Sequence, residues 1–295
     1  MSFFSIIIPT YNRSELLKAT LNSLLAQTFS DIEIIVIDDG GNDDTAAMIA
    51  SLKDNRIRYE WKENGERGAA RNYGAAMAQG KYINFFDSDD LALPHHLQSA
   101  FDFIKKHQPL AFHQAYAWSN TEGKITKELE SFAEGDMHDV LMQRNPFSCN
   151  GVFLKKEIAL EFPFETDRRC CFMEDYLVWL RIALQHPFWH NPVVTSLVVT
   201  HAQRTTTASG VQKLRDGLDC FLFHLRTLAK ANAAFAQQQH RVVATALLQY
   251  AYSVSATGRY KMPALSAWAK AIAQHPGAAL QTLSWVTIKN IVIRW

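Results

Sequence analysis

The stretch KYINFFDSDD, residues 81–90, joins an apolar strand pattern to three carboxylates, those of Asp87, Asp89 and Asp90. Open α/β sheets bind their ligands at the carboxyl ends of strands. Carboxylate oxygens suit Mg²⁺ and Mn²⁺, and proteins often hold Mg²⁺ with one or two carboxylates together with substrate phosphates. The stretch therefore fits a clamp that holds a divalent cation against a phosphorylated substrate. The alternative is a turn whose acids cap the helix that follows Pro94.

The composition is that of a folded globular protein. The chain has 295 residues, of which 48% are hydrophobic and 20% charged, enough for one large domain or two smaller ones. No apolar run approaches the length of a membrane span, and Phe3–Pro9 lacks the basic residues of a signal peptide, so we expect a cytoplasmic protein. The cysteine spacing resembles neither a zinc site nor a disulfide framework, which predicts reduced thiols at Cys149, Cys170, Cys171 and Cys220.

The first hundred residues alternate between strand and helix patterns. This order predicts an α/β fold with a mostly parallel, Rossmann-like sheet and helices on both faces. The predicted strands are Ser5–Ile8, Ile32–Ile37, Ile57–Trp61 and Tyr82–Phe86, and the helices between them cover about 14–27, 43–52 and 68–78. Further along, strands are predicted at Leu110–Trp118, Val152–Leu154 and Val193–Thr200, and a helix at Asp175–Leu184.

The charge of the chain is divided unevenly. Residues 206–295 carry ten Lys and Arg against two Asp, a net charge of +8, although the whole chain carries only +1. This part is also rich in Ala, Leu and Gln with helical periodicity. We therefore predict a first domain over 1–205 and a basic helical C-terminal domain over 206–295. Such asymmetry suggests a membrane or nucleic-acid surface as a partner.

Charged side chains follow the other predicted strands as well. Asp38 and Asp39 end the second strand, Arg71 follows the third, and Glu174 and Asp175 open a helix further on. Each also has a structural explanation, because Asp is common in caps and acids are favoured at helix N-termini. Their succession at strand ends favours a ligand site. The G-x-G-x-x-G and P-loop motifs are absent, which argues against a dinucleotide or P-loop site.

Four segments together resemble the family 2 inverting glycosyltransferases with the GT-A fold, over roughly residues 3–205. They are SIIIPTYNR (5–13), IEIIVIDDG (32–40), NGERGAARNYGAAMAQGKYINFFDSDD (64–90) and MEDYLVWLRIA (173–183). The resemblance implies roles for individual residues. Nucleotide-sugar contacts fall on Pro9, Thr10, Tyr11, Arg13, Asp39, Arg71, Asp87 and Ser88, metal contacts on Asp89, Asp87 and His201, and catalysis on Asp175 with Glu174.

The implied reaction moves a sugar from a nucleoside-diphosphate donor, UDP by resemblance, to a hydroxyl of a saccharide or lipid-linked acceptor. A Mn²⁺ or Mg²⁺ ion neutralises the leaving diphosphate as a Lewis acid, so one carboxylate suffices as general base. A single displacement inverts the anomeric centre. Such chemistry serves cell-surface polysaccharide synthesis. The alternative is a degenerate protein that binds the nucleotide sugar without turnover.

The chain departs from the family pattern in two places. Gly41 stands where many members carry Ser or Thr after Asp-Asp-Gly. Many members also close the site with Tyr-Arg-x-His-x-x-Ser, of which residues 198–204 keep His201 but not the Tyr-Arg pair. His201 is therefore an open candidate for a metal or diphosphate contact, and Arg204 is a candidate for the missing cation.

The C-terminal segment Leu280–Trp295 has aliphatic and Trp residues at roughly helical spacing, with Lys289 and Arg294 among them. Basic amphipathic helices with Trp bind anionic membrane surfaces, which would make the protein peripheral on the inner face of the cell membrane. The alternative is that this segment packs within the protein or forms a homodimer seam. No nucleic-acid-binding motif accompanies the basic region, so nucleic acid is not expected as a partner.

Overall fold

The structure, a computed structural model, describes residues 2–127, 132–170, 173–201, 210–257 and 260–293. The chain forms two compact units. The first comprises Met1–Met137, Phe147–Thr166 and Gln185–His201, and the second comprises His138–Pro146, Asp167–Leu184 and Ala202–Trp295. The second unit thus takes two segments from the part of the chain before residue 205, in addition to the basic C-terminal region.

The first unit is built on a ten-stranded sheet in the order β3-β2-β1-β4-β9-β6-β10-β5, with β7 beside β6 and β8 beside β10. The strands are β1 Phe4–Thr10, β2 Ile32–Asp39, β3 Ile57–Lys62, β4 Tyr82–Phe85, β5 Leu91–Ala92, β6 Ala111–Ser119, β7 Ile125–Lys127, β8 Gly135–Asp136, β9 Val152–Lys155 and β10 Phe188–Val199. The pairs β3/β2, β2/β1, β1/β4 and β6/β10 are parallel, whereas β9 is antiparallel to both of its neighbours.

The described helices are α1 Ser14–Leu25, α2 Thr45–Leu52, α3 Glu66–Met77, α4 His96–His107, α5 His138–Leu141, α6 Lys156–Glu161, α7 Glu174–Ala183, α8 Val211–Ala231, α9 Ala233–Ala256, α10 Lys261–Gln274 and α11 Thr282–Ile293. Helices α1 to α4 and α6 belong to the first unit, and the others to the second. The predicted α/β fold with a mostly parallel sheet and C-terminal helices is confirmed. Strand β10 is longer than predicted and begins five residues earlier, at Phe188.

The buried residues explain why the first strands pair in parallel. All eight residues of β2 are buried, as expected for a strand covered on both faces. Its side chains join those of β1 and of helices α1 and α4 in one core. The chain passes from β1 to β2 to β3 in one direction and then returns to place β4 on the other side of β1. The carboxyl ends of β1 and β4 therefore border the point where open α/β sheets bind ligands.

Helix α3 is docked closely against the segment that follows α6. A Cβ atom at Gly68 would lie 2.4 Å from the carbonyl oxygen of Glu165, so a larger residue would not fit without movement. The Asn72 side chain donates to the Phe164 carbonyl oxygen over 2.9 Å and accepts from its N–H over 2.8 Å. This docking holds Phe164 beside Arg71, which lies next to Asn72 on α3.

The second unit is helical, as the periodicity after residue 209 predicts. Pro263 lies in the first turn of α10, where proline is tolerated, and the helix continues beyond it to Gln274. Pro276 begins a short 3₁₀ segment, Pro276–Leu280, ahead of α11. Among the described residues, no helix is long and apolar enough to cross a membrane.

The prediction that all the cysteines are reduced thiols is wrong for two of them. Cys170 and Cys220 form a disulfide that joins the 3₁₀ segment Arg168–Cys170 to helix α8. They are 50 residues apart in sequence, and only the packing of α8 on this segment brings them together, so their spacing gave no sign of it. Cys149 is a buried thiol that forms no disulfide within the described part of the chain, and Cys171 lies outside the described residues.

Three histidines are buried in the first unit, on and beside the strands that follow β4. The ring Nδ1 atoms of His113 and His190 lie 3.4 Å apart, and His96 Nδ1 lies 2.9 Å from Thr195 Oγ1. Burial lowers the pKa of His190 to about 4 and that of His96 to about 3. Burial, with repulsion from His190, also lowers the pKa of His113 well below its ordinary value. The folded chain therefore holds all three as neutral rings.

This cluster predicts a loss of stability in mild acid. The unfolded chain binds protons at these histidines below about pH 6.5, whereas the folded chain does not, so stability falls as the pH drops from about 6.5 towards 4. Each histidine contributes up to about 1.4 kcal/mol per pH unit in that range. Denaturant unfolding between pH 7.5 and 5 measures the slope. His190→Gln is expected to flatten it, because the variant has one buried histidine fewer to protonate on unfolding. Equal slopes in the parent and in His190→Gln would contradict the assignment.

Candidate active site

Asp89 lies at the centre of a polar cluster at the junction of β1 and β4. Its Oδ2 atom accepts from Arg13 Nη1 over 3.0 Å and lies 2.9 Å from His201 Nε2. Arg13 follows β1, Asp89 follows β4 and His201 follows β10, so three strands of one sheet supply the cluster. The side chains of Asp89 and His201 are only 10% and 7% exposed, so this contact is made largely away from water. His201 is thus brought to the predicted metal ligand, although the signal in the sequence was incomplete.

Asp87 faces a different cation. Its Oδ1 atom accepts from Arg71 Nη2 over 2.8 Å. Arg71 is 2% exposed, and its guanidinium lies 5.1 Å from the centre of the Phe164 ring. An arginine so deeply buried requires a charged partner, and the aromatic face adds a cation–π contribution. The structure therefore brings together two residues that the resemblance assigned to the nucleotide sugar, one of which, Asp87, is also a metal candidate.

Asp90 has a structural role, and its hydrogen bonds differ from those of Asp87 and Asp89. It is 1% exposed, its Oδ1 accepts from the N–H of Val199 over 2.8 Å, and its Oδ2 accepts from Asn150 Nδ2 over 2.7 Å. Asn150 is itself buried, and its Oδ1 accepts from the N–H of Asp87 over 2.8 Å. These bonds fix the loop after β4 to the end of β10. They hold Asp87 and Asp89 in place.

The loop after β2 is held by two buried carboxylates. Asp38 accepts from Tyr59 Oη over 2.8 Å and from the N–H of Gly41 over 2.8 Å. Burial and the hydrogen bond to Asp38 raise the pKa of Tyr59 above its ordinary value. Asp39 accepts from Lys62 Nζ over 2.7 Å and from the N–H of Gly65 over 2.9 Å, both at Oδ1.

The loop after β1 presents the remaining nucleotide-site candidates. Pro9 and Thr10 end the strand, and Thr10 is buried with no hydrogen-bond partner for its Oγ1 among the described residues. Tyr11 is exposed. Asn12 Oδ1 accepts from the N–H of Asn42 over 2.8 Å, which ties this loop to the one after β2. Ser88, between the two key carboxylates, is buried.

Glu174 and Asp175 open α7 in the second unit, and they differ in exposure. Glu174 is buried, whereas Asp175 is partly exposed and lines a cavity of about 740 Å³ with Arg144, Asn145 and residues of α8, α9 and the start of α11. Asp175 Oδ2 accepts from Asn145 Nδ2 over 3.3 Å, and Oδ1 accepts from the N–H of Tyr176 over 2.7 Å. The helix N-terminus favours negative charge here.

The first unit therefore gathers the predicted donor and metal residues at the carboxyl ends of β1, β2, β4 and β10, while the predicted catalytic pair lies in the second unit. Arg204 lies outside the described residues. Five residues that support these groups had no role in the predictions from sequence, namely Asn150, Lys62, Tyr59, Phe164 and Asn145. Lys62 ends β3 opposite Asp39 of β2, one residue beyond the strand predicted there. No comparable signal marks Asn150 or Asn145.

The contrast between Asp90 and Asp89 gives a stability test. Asp90→Ala leaves the Val199 N–H and the Asn150 amide without their acceptor in the interior, which is expected to cost about 2–5 kcal/mol. Asp89→Ala removes one partner from the partly exposed Arg13 and one from His201, and is expected to cost less, about 1–2 kcal/mol. Urea unfolding followed by circular dichroism compares the two variants with the parent. Equal losses would show that Asp89 is as structural as Asp90.

The chain is similar to known glycosyltransferases in sequence. The family model for glycosyl transferase family 2 matches residues 5–164. An uncharacterized glycosyltransferase of Rickettsia felis is 35% identical over 61% of this chain, but the match spans only 30% of that relative's length. The Escherichia coli protein WfaP, named UDP-Glc:alpha-D-GlcNAc-diphosphoundecaprenol beta-1,3-glucosyltransferase, is 34% identical over 62% of this chain and 70% of its own.

Two solved structures share the fold. TarS of S. aureus, residues 1–349 in complex with UDP-GlcNAc, superposes with a TM-score of 0.61 over 94% of this chain and 90% of its own, at 18% identity. The mannosyltransferase PcManGT of Pyrobaculum calidifontis, in complex with GDP-Man and Mn2+, gives 0.59 over 99% of this chain and 85% of its own, at 19% identity. Given the match of the family model over more than half of its residues, the chain belongs to glycosyl transferase family 2.

Proposed function

We propose that the chain is a metal-dependent inverting glycosyltransferase. It takes a sugar from a nucleoside-diphosphate donor, with UDP as the first choice, and passes it to a hydroxyl of a saccharide or lipid-linked acceptor in cell-surface polysaccharide synthesis. The family supports sugar transfer. The names of WfaP and TarS support UDP, and the name of WfaP supports a lipid-linked acceptor. The GDP-Man complex of PcManGT keeps GDP as the second choice.

The single observation that carries this proposal is the cluster at Asp89. A carboxylate oxygen and an imidazole nitrogen 2.9 Å apart are both metal donors, and they lie at the junction of β1 and β4 where such sheets bind ligands. His201 Nδ1 is buried without a hydrogen-bond partner among the described residues, as suits a ring whose orientation a ligand completes. A mixed oxygen and nitrogen set favours Mn²⁺ over Mg²⁺, which prefers oxygen alone.

The residues present thus fit a divalent cation held by Asp89 and His201, with Asp87 beside them. When bound, the ion supplies positive charge to the leaving diphosphate. Arg71 holds Asp87 in position through its buried guanidinium. Arg13, on the partly exposed side of the cluster, is placed to contact phosphate oxygens.

The nucleoside end of the donor is assigned to the loops after β1 and β2. Tyr11 offers an exposed ring on which a base can stack, and Thr10 offers a hydroxyl that has no partner among the described residues. Asp39 is assigned to the base edge, because both side-chain hydrogen bonds that it makes among the described residues use Oδ1 and leave Oδ2 for a ligand. Pro9 precedes Thr10 at the end of β1, and Ser88 lies between Asp87 and Asp89 in the sequence.

Asp175 is assigned as the general base that removes the proton of the acceptor hydroxyl. The helix N-terminus keeps the carboxylate charged, Asn145 orients it, and the cavity that it lines has room for a sugar. Because the base and the leaving group act in one displacement, the configuration at the anomeric carbon inverts. Glu174 is buried beside it and is assigned a supporting role.

The C-terminal helix supports a peripheral membrane location. Helix α11 buries Ser284, Thr287 and Ile291, while Trp285 and Val292 are 66% and 61% exposed, so two hydroxyl side chains face inwards and two large apolar ones outwards. Lys289 is exposed among them. Together with the net charge of +8 over 206–295, this surface suits anionic lipids better than water. A homodimer seam is the alternative use of the same face.

The first functional prediction concerns the base. Asp175→Asn keeps the size and shape of the side chain but cannot accept the proton, so kcat is expected to fall by about a hundredfold to ten-thousandfold. Glu174→Gln is the matched control, and its loss is expected to be much smaller. Transfer from a panel of UDP and GDP sugars to a lipid-diphosphate saccharide, with Mn²⁺ added, gives the rates.

Three outcomes of this assay are informative. Unchanged turnover in Asp175→Asn would overturn the base assignment. A parent protein that binds a nucleotide sugar with Mn²⁺ in a thermal-shift screen but transfers nothing would favour the degenerate alternative. Retention of the anomeric configuration in the product, read by NMR, would exclude the inverting mechanism.

The second functional prediction concerns Arg13 and the metal. Because the guanidinium bonds the same oxygen of Asp89 as His201, it occupies part of the space and charge that a cation needs. Arg13→Gln is therefore expected to tighten Mn²⁺ binding to the free protein by about threefold to tenfold, measured as free Mn²⁺ by EPR. Lys18→Gln removes an exposed charge from α1 as a control. Weaker Mn²⁺ binding in Arg13→Gln would mean that Arg13 organises the site instead.

A further inference from the structure

A second cavity lies among helices α8, α9 and α10 of the second unit, with a volume of about 910 Å³. This volume is at the upper end of the range for small-molecule sites. The lining residues are Arg215, Leu218, Asp219, Leu222, Arg226, Ala236, Gln239, His240, Val243, Leu247, Tyr250, Met262, Pro263, Ser266, Ala267, Lys270 and Gln274. Neither the predicted donor residues nor Asp175 belong to this set.

The charged side chains that line this cavity are mostly positive. Arg215, Arg226 and Lys270 are permanent cations with exposed side chains, whereas Asp219 is the one carboxylate among the described residues of the lining. Its contact to Arg215 is long, at 3.9 Å. Cations gathered from α8 and α10 repel one another, so an anion between them is stabilised. Arginine in particular matches the oxygens of phosphate groups.

The rest of the lining is largely apolar. Leu218, Leu222, Val243 and Leu247 line the cavity from α8 and α9. Met262 lines it from α10 and is 73% exposed, which is a large exposure for an apolar side chain. An apolar ligand in the cavity would remove this side chain from water. A purely hydrophilic anion would leave this surface in water. The lining therefore fits a molecule with a phosphate at one end and a hydrocarbon at the other.

We propose that this cavity binds the phosphate-bearing hydrocarbon end of a lipid-diphosphate acceptor. The inference rests on the proposed function for the choice of acceptor, but not for the charge and apolarity of the cavity. Leu218 and Tyr250 line both this cavity and the one that Asp175 lines, so the two are adjacent within the second unit. One acceptor spans them, with its sugar at Asp175 and its diphosphate at Arg226 and Lys270.

The test is direct binding of farnesyl diphosphate, a soluble diphosphate with a hydrocarbon chain, to the full chain by isothermal titration calorimetry. The double variant Arg226→Gln/Lys270→Gln is expected to weaken binding at least tenfold, a change of about 1.4 kcal/mol. The matched control is Lys230→Gln/Arg241→Gln, which removes the same charge from exposed positions on α8 and α9 outside the cavity. The control is expected to bind like the parent. Equal weakening in both double variants would overturn the proposal, because it would reflect overall charge alone.

Two further probes test the two halves of the ligand. Inorganic diphosphate and farnesol are each expected to bind at least tenfold more weakly than farnesyl diphosphate. Inorganic diphosphate that binds as tightly would show an anion site without a hydrocarbon partner, and so contradict the proposal. Co-sedimentation with phosphatidylglycerol vesicles distinguishes a membrane surface from a ligand site. Binding of the protein to a membrane surface would weaken equally in the control variant and in the cavity variant, whereas binding of a ligand in the cavity would weaken in the cavity variant alone.

The outcomes also separate this inference from the proposed function. Binding of farnesyl diphosphate without any sugar transfer would leave the cavity assignment standing and remove the enzyme assignment. Transfer to a lipid-diphosphate saccharide with the same KM in the parent and in Arg226→Gln/Lys270→Gln would leave the enzyme assignment standing and overturn the cavity assignment.

Discussion

The parallel pairing of β1 with β2 on one side and β4 on the other is the constraint on which the rest of the first unit depends. After β1 the chain adds β2 and β3 on one side, and it then places β4 on the other side of β1. The loops that follow β1 and β4 therefore lead away in opposite directions and leave a crevice between them. Arg13 and Asp89 meet across it. The apolar interior of β1 and β2 stabilises this pairing, since both strands are buried almost throughout.

Charge balance in the crevice follows from that geometry. Three acidic groups at strand ends each face a cation: Asp89 faces Arg13, Asp87 faces Arg71 and Asp39 faces Lys62. Poorly exposed carboxylates would otherwise carry a large desolvation cost. The cations offset part of that cost. Of the two groups that contact Asp89, Arg13 is more exposed than His201, with side-chain exposures of 24% and 7%, which is why we expect Arg13 to move aside for a ligand.

The second unit buries some polar side chains and leaves some large apolar ones exposed. In α11 the hydroxyls of Ser284 and Thr287 are buried, and Asn290 donates to Ser255 over 3.2 Å. Trp285 is left outside. Helices α8 and α10 in turn gather cations over an apolar lining. Both features leave apolar surface in contact with water, which is the basis of the proposed lipid contacts.

The sequence by itself determined the order of the elements, the parallel sheet and the residues that meet at its carboxyl edge, because hydrophobic periodicity and strand-end carboxylates are local signals. The resemblance to the family motifs named Asp87, Asp89 and His201 as metal candidates, although His201 lies 112 residues from Asp89. Only the tertiary structure shows how Asp90 is held, since its partners are Asn150 and Val199, which no local pattern connects to it. The same holds for the disulfide between Cys170 and Cys220 and for the buried histidines, whose environments arise from packing between segments distant in sequence.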